Sequence, residues 1–393
     1  MTAYIVAAAR TVIAPKGGLH RDTPLYKLAK PALRYAWQAL QYSKETTKRN
    51  APDFVIMGNA LAAGGNPARV ATLAAFDASV PAMTVDTQCC SGMDAIGQAA
   101  ALISAGSAEA ILAGGLESHS QAPLRSRKTP TGYQPYQQAQ FTPWEDRDPN
   151  VLEAAQAFAQ THYITRDAQE RYALESHAKL LRYANIKDTY TRELSRAVCQ
   201  RMPALLRGAG EKNIATSSHQ INQSSNLNKN AGSFAITAAT VAPEADGAAA
   251  LLIVDQRLAK QFPIALEVVA HVQVGCDPVS PALGGVVAAE KLLESIAPAT
   301  RKKIRVIEVM ESFAAQAIHN RRWLTQRYGV DDSCINPHGG LLAIGHPIGA
   351  SGAVLVGNLF VQLANQPIDS YGIACIPAAG GMGSAILAKR IGR

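Results

Sequence analysis

The 393-residue chain lacks any long apolar run, although 48% of its residues are hydrophobic. No stretch approaches the roughly 20 consecutive apolar residues that cross a bilayer. Residues 1–18 contain a short apolar segment with no basic region ahead of it, so we interpret them as a first strand and a turn. These absences predict a cytoplasmic protein. The length and apolar content predict two core-bearing units, or one duplicated unit.

Cysteine is also scarce. Six cysteines are too few and too scattered for a disulfide framework in a chain of this length, so we expect them to be reduced. No pair has CxxC spacing, which argues against a zinc site, and we expect no metal or prosthetic group. The six are Cys89, Cys90, Cys199, Cys276, Cys334 and Cys375.

Clusters of basic residues flanked by aromatic-rich strands are missing as well. The formal net charge is +8, which permits an anionic partner or merely a basic solvated surface. The basic residues fall in small separate groups at 125–128, 301–305 and 319–323. This scatter argues against nucleic acid and favours a phosphorylated small molecule as the partner.

Three stretches of the chain differ in composition. Residues 1–119 alternate β-type apolar runs with Ala-rich helical segments, which is typical of a buried parallel sheet covered by helices. Residues 120–235 are polar, and their first part has the composition of a long loop. From about residue 236 the α/β pattern returns. A polar insertion between two similar blocks predicts a lid.

A faint internal repeat connects the two α/β blocks. Residues 89–115 and 349–381 share the order Ser-Gly, apolar helix, polar turn, strand and Gly-Gly. Ala-rich β/α units resemble one another easily, so this order alone is weak. It suggests two copies of one half-domain that face each other.

Two adjacent cysteines, Cys89 and Cys90, follow a predicted strand and precede a predicted helix. Unpaired N–H groups and the helix dipole at such a helix start favour an anion and lower the pKa of a thiol. Either cysteine is therefore a candidate nucleophile. The alternative is that both are small buried side chains, which is the commoner role of a free cysteine. The helix is indicated by apolar residues at helical spacing, namely Met93, Ile96, Ala100 and Ile103.

Glycine-rich turns elsewhere favour the catalytic interpretation. His346 lies in one such turn between Gly345 and Pro347, a setting that suits a general base or an oxyanion donor. Glu117 follows a predicted strand that ends in Gly-Gly. The turn at 378–386 offers main-chain N–H groups that face a ligand in our interpretation.

With these residues in place, the chain resembles the thiolase family, whose members make or cleave 3-ketoacyl-CoA through an acyl-cysteine. In the family the nucleophile precedes x-Ser-Gly, so the resemblance selects Cys89 and leaves Cys90 in a variable place. A reversible disulfide between the two is a strained alternative. Nine stretches match in order and spacing: "AARTVIAPKGG", "VIMGNALAAGGNPAR", "VPAMTVDTQCCSGMDAI", "AGGLESHS", "ITRDAQERYALESH", "DGAAALLI", "ESFAAQA", "NPHGGLLAIGHPIGASGA" and "GGMGSAIL".

The resemblance implies an α/β fold with a five-layer α-β-α-β-α arrangement of two duplicated mixed-sheet halves. Residues 1–119 with about 236–265 would form the N-terminal half, 120–235 an inserted loop domain and 266–393 the C-terminal half. It also implies an acetyl-CoA acetyltransferase or 3-ketoacyl-CoA thiolase of fatty acid metabolism, with a coenzyme A thioester as substrate and no other cofactor. Family members are commonly homodimers or homotetramers.

The match fails where the family carries its second cysteine, which moves the proton of the substrate α-carbon. Pro377 stands at that place and has neither thiol nor N–H. Cys375 precedes it by two residues, on the same side of an extended strand but about 6 to 7 Å along it, so it is an uncertain substitute. Ala379 replaces a glycine whose N–H forms the oxyanion hole with that of Cys89, and an alanine N–H serves equally well where its backbone angles are allowed.

A second departure is Met310, at a position where the family has Asn or His. That residue and the histidine matching His346 hold the oxygen of the other thioester, whereas methionine donates no hydrogen bond. Ser312 occupies the place where some branches carry the proton-transfer cysteine, and its hydroxyl is too weak an acid to replace it. Ala242 stands where many members have a serine that contacts CoA.

Three functions remain open on this sequence. The first is acyl transfer from an acyl-CoA through Cys89, with His346 as base and the N–H groups of Cys89 and Ala379 as oxyanion donors. Its carbon–carbon step is expected to suffer, because a positioned acid/base group contributes about 10² to 10⁴ in rate and an oxyanion donor about 10² to 10³. The second is an acyltransferase or thioesterase without carbon–carbon chemistry. The third is a non-catalytic protein that binds CoA thioesters.

Overall fold

The structure is a computed structural model that describes residues 1–42, 49–136, 138–183, 194–206 and 233–392. Its strands, in chain order, are β1 (Tyr4–Arg10), β2 (Ala14–Pro15), β3 (Phe54–Gly58), β4 (Ala82–Val85), β5 (Ala110–Glu117), β6 (Arg125–Thr129), β7 (Gly132–Tyr136), β8 (Ala245–Val254), β9 (Ile264–Gly275), β10 (Ile304–Val309), β11 (Tyr371–Ala378) and β12 (Met382–Gly392). Its helices are α1 (Leu25–Gln38), α2 (Pro67–Ala75), α3 (Ser91–Ser104), α4 (Val151–Thr161), α5 (Arg166–Tyr183), α6 (Arg196–Arg201), α7 (Gln256–Ala259), α8 (Gly284–Ser295), α9 (Pro298–Arg301), α10 (Ala314–Tyr328), α11 (Leu341–Ile344) and α12 (Ile348–Ala364).

Two half-sheets repeat one strand pattern. In the first, β3 is parallel to β5, and β8 is antiparallel to both β5 and β1. In the second, β10 is parallel to β11, and β12 is antiparallel to both β11 and β9. The strand β4 extends the first half-sheet beside β3. The predicted duplication of a mixed-sheet half is therefore confirmed.

The two half-sheets are hydrogen-bonded to each other at one corner. There β1 and β9 pair antiparallel, with Tyr4 opposite Glu267 and Ile5 opposite Leu266. The full strand order is β10-β11-β12-β9-β1-β8-β5-β3-β4. The two half-sheets are thus the two parts of one continuous sheet.

Helices occupy three layers around the half-sheets. In the middle, α3 packs on β3, β5 and β8 of one half and on β9 and β12 of the other, and α12 likewise contacts both halves. The outer face of the first half is covered by α1 and α2, and that of the second by α8, which packs against α10. Separate apolar cores fill the central and outer interfaces. This is the predicted α-β-α-β-α arrangement.

Sequence composition explains the central layer. The strands β5 and β8 are buried along their whole length, which matches their continuous apolar runs. Between the half-sheets, α3 and α12 cross at their N-terminal ends on glycine. A Cβ atom at Gly352 would lie 2.5 Å from the main-chain nitrogen of Met93, and one at Gly92 would lie 2.8 Å from the main-chain oxygen of Gly349. Only glycine allows this approach, which brings together the residues that precede the two helices.

The polar insertion contains more regular structure than its composition predicts. The composition of residues 126–150 predicts a long loop, but β6 and β7 pair there as a two-stranded hairpin. The expectation was wrong because both faces of β6 are largely exposed, so its sequence shows no alternation of apolar and polar residues. Further along, α4 and α5 pack against α10 around an apolar core of their own. Residues 137, 184–193 and 207–232 of this insertion lie outside the described residues.

The described residues contain neither a membrane-spanning helix nor a cluster of metal-ligating side chains. No helix in those ranges combines the length and the apolarity that a bilayer span requires. Within the same ranges, no group of three or more His, Cys, Asp or Glu side chains is arranged to hold a metal ion.

Candidate active site

A cavity of about 520 Å³ lies where α3 and α12 begin. Its walls come from both halves and from α4 of the insertion. Most of the lining is apolar, and the residues that bear on chemistry are Cys89, His119, Glu244, His346, Pro377 and Ala379. A larger cavity, of about 920 Å³, lies beside Arg301 and Tyr328 and contains none of the predicted site residues. The smaller cavity is therefore the candidate site.

A strained turn presents Cys89 to the cavity. Gln88 has a positive φ of 56°, which is uncommon for a residue with a Cβ and typical of functional turns. The hydroxyl of Ser91 closes the turn: it donates to the Gln88 carbonyl at 2.5 Å and accepts from the Thr87 N–H at 2.9 Å. This geometry separates the adjacent cysteines. Cys90 is fully buried and its Sγ donates to the Ile376 carbonyl at 3.4 Å, away from the cavity.

His346 faces the thiol of Cys89 with a defined ring nitrogen. Its Nε2 lies 3.3 Å from Cys89 Sγ, and its Nδ1 lies 2.6 Å from Ser351 Oγ. The Ser351 hydroxyl donates its own proton to the Pro347 carbonyl at 3.0 Å. It therefore accepts from Nδ1–H, which leaves the Nε2 lone pair free to accept the thiol proton. The arrangement is that of a nucleophile, its base and a third group that orients the base.

Burial keeps both reacting groups neutral at rest. It raises the pKa of Cys89 to about 12, although two main-chain N–H groups oppose the rise. Burial, with a smaller contribution from His119, lowers the pKa of His346 to about 3. The expectation that the helix start lowers the thiol pKa is wrong for the resting site, because removal from water outweighs the dipole. The nucleophile has to be generated by proton transfer to His346 during the reaction.

Two N–H groups converge on the nucleophile. The main-chain N–H groups of Ala379 and of Cys89 itself both act on Cys89 Sγ, where they oppose the rise in pKa that burial causes. An oxygen that develops on a carbonyl attached to this sulfur would lie next to the same donors. The two main-chain donors are therefore the candidate oxyanion hole of the site.

Glu117 ties the two halves of the site together without lining the cavity. One carboxylate oxygen accepts from the Gly349 N–H at 2.9 Å and from the Ala60 N–H at 3.0 Å. The other accepts from the Asn59 side chain at 2.8 Å. Burial raises the pKa of Glu117 to about 7. Through Gly349 the carboxyl fixes the start of α12, and hence the loop that carries His346.

The structure does not bring every predicted residue to the cavity. Cys375 is fully buried in the outer core between the second half-sheet and α8. Met310 is fully buried in the central core. Neither lines the cavity, whereas Pro377, Ser312 and Ala242 do. On the β11 side the cavity wall therefore offers no thiol.

Two further polar residues in the cavity were not singled out from the sequence. His119 lies two residues beyond Glu117, and Glu244 lies just before β8. Their side chains approach each other, with His119 Nδ1 3.7 Å from Glu244 Oε2. No sequence signal joins residues that are 125 positions apart, as the difference 244 − 119 gives. Their position after or before a core strand was the only available clue.

Comparison with known protein families identifies the family to which the chain belongs. The thiolase N-terminal domain matches residues 3–257, and the thiolase C-terminal domain matches residues 262–390. The chain belongs to the thiolase family. Membership of this family makes the chain an acyltransferase.

Similar proteins cover the whole chain. A Bacillus subtilis protein named "Putative acetyl-CoA C-acetyltransferase YhfS" is 34% identical over 391 residues, which span 98% of this chain and 99% of that protein. The VraB protein of Staphylococcus aureus strain MW2, with the same description, is 32% identical over 404 aligned residues, 99% of each chain.

Two solved structures share the fold. The acetyl-CoA acetyltransferase of Bacillus anthracis has a TM-score of 0.79 at 25% identity, with 99% of each chain covered. The Acat5 thiolase of Ascaris suum, solved in complex with coenzyme A, has a TM-score of 0.79 at 24% identity, with both chains covered completely.

Proposed function

We propose that this enzyme takes an acyl group from a coenzyme A thioester onto Cys89. The observation that carries the proposal is the 3.3 Å contact between His346 Nε2 and Cys89 Sγ, with the tautomer fixed through Ser351. The names of the relatives support an acetyl-CoA or 3-ketoacyl-CoA substrate. The apolar cavity suits the acyl chain of such a thioester.

The chemistry follows from the positions of the groups. His346 Nε2 accepts the thiol proton as Cys89 Sγ attacks the thioester carbonyl. The N–H groups of Cys89 and Ala379 hold the negative oxygen of the tetrahedral intermediate. When the intermediate collapses, the carbon–sulfur bond to coenzyme A breaks and the leaving thiolate takes the proton from His346. The products are acyl-Cys89, neutral His346 and free coenzyme A.

This half-reaction needs no cofactor besides the thioester itself. The thiol, the imidazole and the two N–H groups supply the nucleophile, the base and the oxyanion donors. A homodimer or homotetramer, a cytoplasmic location and a role in fatty acid metabolism remain predictions that follow from family membership.

Mass spectrometry of the intact protein tests the proposal. Brief incubation with acetyl-CoA should add one acetyl group to the wild-type chain and none to Cys89→Ala. The neighbouring Cys90→Ala is the matched control, because Cys90 is buried away from the cavity, and it should still be acetylated. Absence of the adduct in the wild type, with coenzyme A binding still measurable, would refute the enzyme mechanism and favour a thioester-binding protein.

A second candidate shares the acylation step but passes the acyl group to water or another acceptor. The apolar lining at Pro377, where a thiol would serve carbon–carbon chemistry, favours it. It predicts release of acetate from acetyl-Cys89, with no cleavage of acetoacetyl-CoA by added coenzyme A. The protein is incubated with acetyl-CoA alone and, separately, with acetoacetyl-CoA and coenzyme A. Quantifying acetate in the first incubation and acetyl-CoA in the second separates the two functions.

A further inference from the structure

The cavity holds only four ionisable side chains among the described residues that line it: Cys89, His119, Glu244 and His346. Acylation uses Cys89 and His346. The other two lie side by side and have no part in that step. They form a second polar pair in an otherwise apolar pocket.

His119 has the environment of a functional base. It is 8% exposed, and its Nδ1 lies 3.7 Å from Glu244 Oε2. Its Nε2 is buried without a hydrogen-bond partner among the described residues. A buried polar atom left unpaired costs about 1 to 3 kcal/mol, so such an atom at a cavity wall points to a group supplied by a ligand. Burial also lowers the pKa of His119 despite the opposing effect of Glu244, so its imidazole is neutral near pH 7.

Making or cleaving a carbon–carbon bond requires a proton carrier that acylation does not. The α-carbon of a second acyl-CoA has to lose a proton before it attacks acyl-Cys89. Pro377 carries no ionisable group, and Cys375 lies in the outer core away from the cavity. His346 is already engaged with Cys89 and Ser351. Within the described lining, His119 is the remaining side chain that is neutral and basic.

We propose that His119, which lies beside the Glu244 carboxylate that accepts from Lys16 Nζ at 2.8 Å, is the acid–base group of the carbon–carbon bond step. The inference rests on the proposed function, because it starts from acyl-Cys89. In condensation, His119 takes a proton from the α-carbon, and the carbanion forms a bond to the acyl carbonyl carbon. The carbon–sulfur bond to Cys89 breaks, and the departing thiolate takes the proton from His119. In thiolysis the same transfers run backwards, with His119 protonating the departing α-carbon.

Three measurements on His119→Asn test this assignment. Acetyl-Cys89 formation from acetyl-CoA should change far less than thiolysis, because His346 serves that step. Thiolysis of acetoacetyl-CoA should fall about 10²- to 10⁴-fold, which is the contribution of a positioned acid/base group. Exchange of the acetyl-CoA methyl protons with deuterium in D₂O, catalysed by the wild type, should be lost. The matched control is His338→Asn, a histidine that stacks on Tyr183 outside this cavity.

Glu244→Gln tests the assignment to His119 by pH dependence, because the Glu244 charge acts on the pKa of His119. The charges acting on His119 are those of Glu244 and Asp246, which raise its pKa, and of Lys16, which lowers it; the His346 ring lies nearby. Removing the Glu244 charge therefore lowers the pKa of His119. The limb of the thiolysis rate that rises with pH, as His119 loses its proton, should move to lower pH in Glu244→Gln.

The outcomes separate this inference from the proposed function. A wild type that forms acetyl-Cys89 but shows neither thiolysis nor deuterium exchange refutes the role of His119 and leaves acylation intact. Equal thiolysis in His119→Asn and wild type refutes it too. If His119→Asn lost acylation and thiolysis to the same extent, the residue would have a structural role, and its assignment to the carbon–carbon bond step would be refuted. A wild type without acetyl-Cys89 overturns both proposals together.

Discussion

The two halves of the molecule share one plan but differ at the ends of their corresponding strands. In each half a reacting residue stands two positions before a central helix: Cys89 before α3, which begins at Ser91, and His346 before α12, which begins at Ile348. The following strands, β5 and β11, occupy equivalent places in their half-sheets. Yet β5 ends in the hydrogen-bonded carboxyl of Glu117, whereas β11 ends in apolar residues that line the cavity.

This difference separates structural symmetry from chemical symmetry. The repeated helix starts are needed to bring a thiol and its base together, so both are present. The ends of β5 and β11 do not share a function in this way. In the first half the strand end holds the opposite helix through Gly349, and in the second it offers the N–H of Ala379 and little else. Duplication therefore preserves the fold while each copy specialises.

The largest expected effect comes from removing the base contributed by the second half. His346→Asn should slow the formation of acetyl-Cys89 by about 10²- to 10⁴-fold, because the buried thiol then loses the proton acceptor that lies 3.3 Å from it. Time-resolved mass spectrometry measures this rate. Ser351→Ala, which loses only the group that orients the ring, should retain more activity. Unchanged acylation in His346→Asn would show that another residue accepts the thiol proton. It would refute the claim that one half supplies the nucleophile and the other supplies its base.

The second-largest effect is expected on stability, at the crossing of the two central helices. Gly352→Ala places a Cβ atom against the main chain of Met93 and should lower the free energy of unfolding by about 1 to 3 kcal/mol, the usual cost of overpacking. Gly357→Ala on the same helix is the control, because its new Cβ would meet nothing closer than 3.8 Å. Urea denaturation of both variants measures the difference. Equal stabilities would show that the helices can separate without cost.

Restoring a thiol at the end of β11 sharpens the comparison further. Pro377→Cys should raise thiolysis of acetoacetyl-CoA about tenfold, a small part of what an optimally placed acid/base group contributes. Pro377→Ala removes the ring without adding a thiol and should produce no gain. Coupled assays of coenzyme A consumption follow both variants. A gain as large in the alanine variant would mean that the proline ring merely obstructs the cavity.

The smallest effect concerns one buried carboxyl in each half. Burial raises the pKa of both Glu117 and Glu308 to about 7, against 4.5 for an exposed glutamate. Between about pH 4.5 and pH 7 the folded chain binds more protons than the unfolded chain at these sites. Stability from these groups therefore falls as pH rises through that window.

Glu308→Gln tests this pH dependence away from the catalytic cavity. The amide does not ionise, so the free energy of unfolding should decline less between pH 5 and pH 8 than in the wild type. Urea denaturation at the two pH values gives the comparison. Because Glu117 keeps its own contribution, part of the decline should persist. Identical declines in variant and wild type would show that Glu308 is charged in the folded chain throughout.

The duplicated fold could be predicted because it depends on local sequence, whereas the pairing of Cys89 with His346 was expected from the resemblance to the thiolase family. Apolar runs define the buried strands, and glycine marks the turns and the helix crossing. The choice between the two cysteines followed from the same resemblance, because the family's nucleophile precedes x-Ser-Gly, and the structure gives a physical difference between them. The turn at Gln88 aims one side chain at the cavity and the next into the core.

What sequence could not predict depends on the surroundings of a residue rather than on its neighbours in the chain. Cys375 lies on the same side of β11 as Pro377, as expected, but α8 covers that side before the cavity opens. The pKa of Cys89 was expected to fall at a helix start, yet burial reverses the sign. The approach of His119 to Glu244 depends on how the strand ends meet in three dimensions.

The continuous sheet also sets the order in which the chain can assemble during synthesis. The strand β1 ends at residue 10, yet its partners β8 and β9 begin only at residues 245 and 264. During synthesis, β1 can therefore pair with β8 and β9 only after more than half of the polypeptide has been made. Contacts of such long sequence separation slow folding and leave an unpaired edge exposed meanwhile. In this chain the edges of β1 that pair with β8 and β9 therefore stay without their native partners for most of translation.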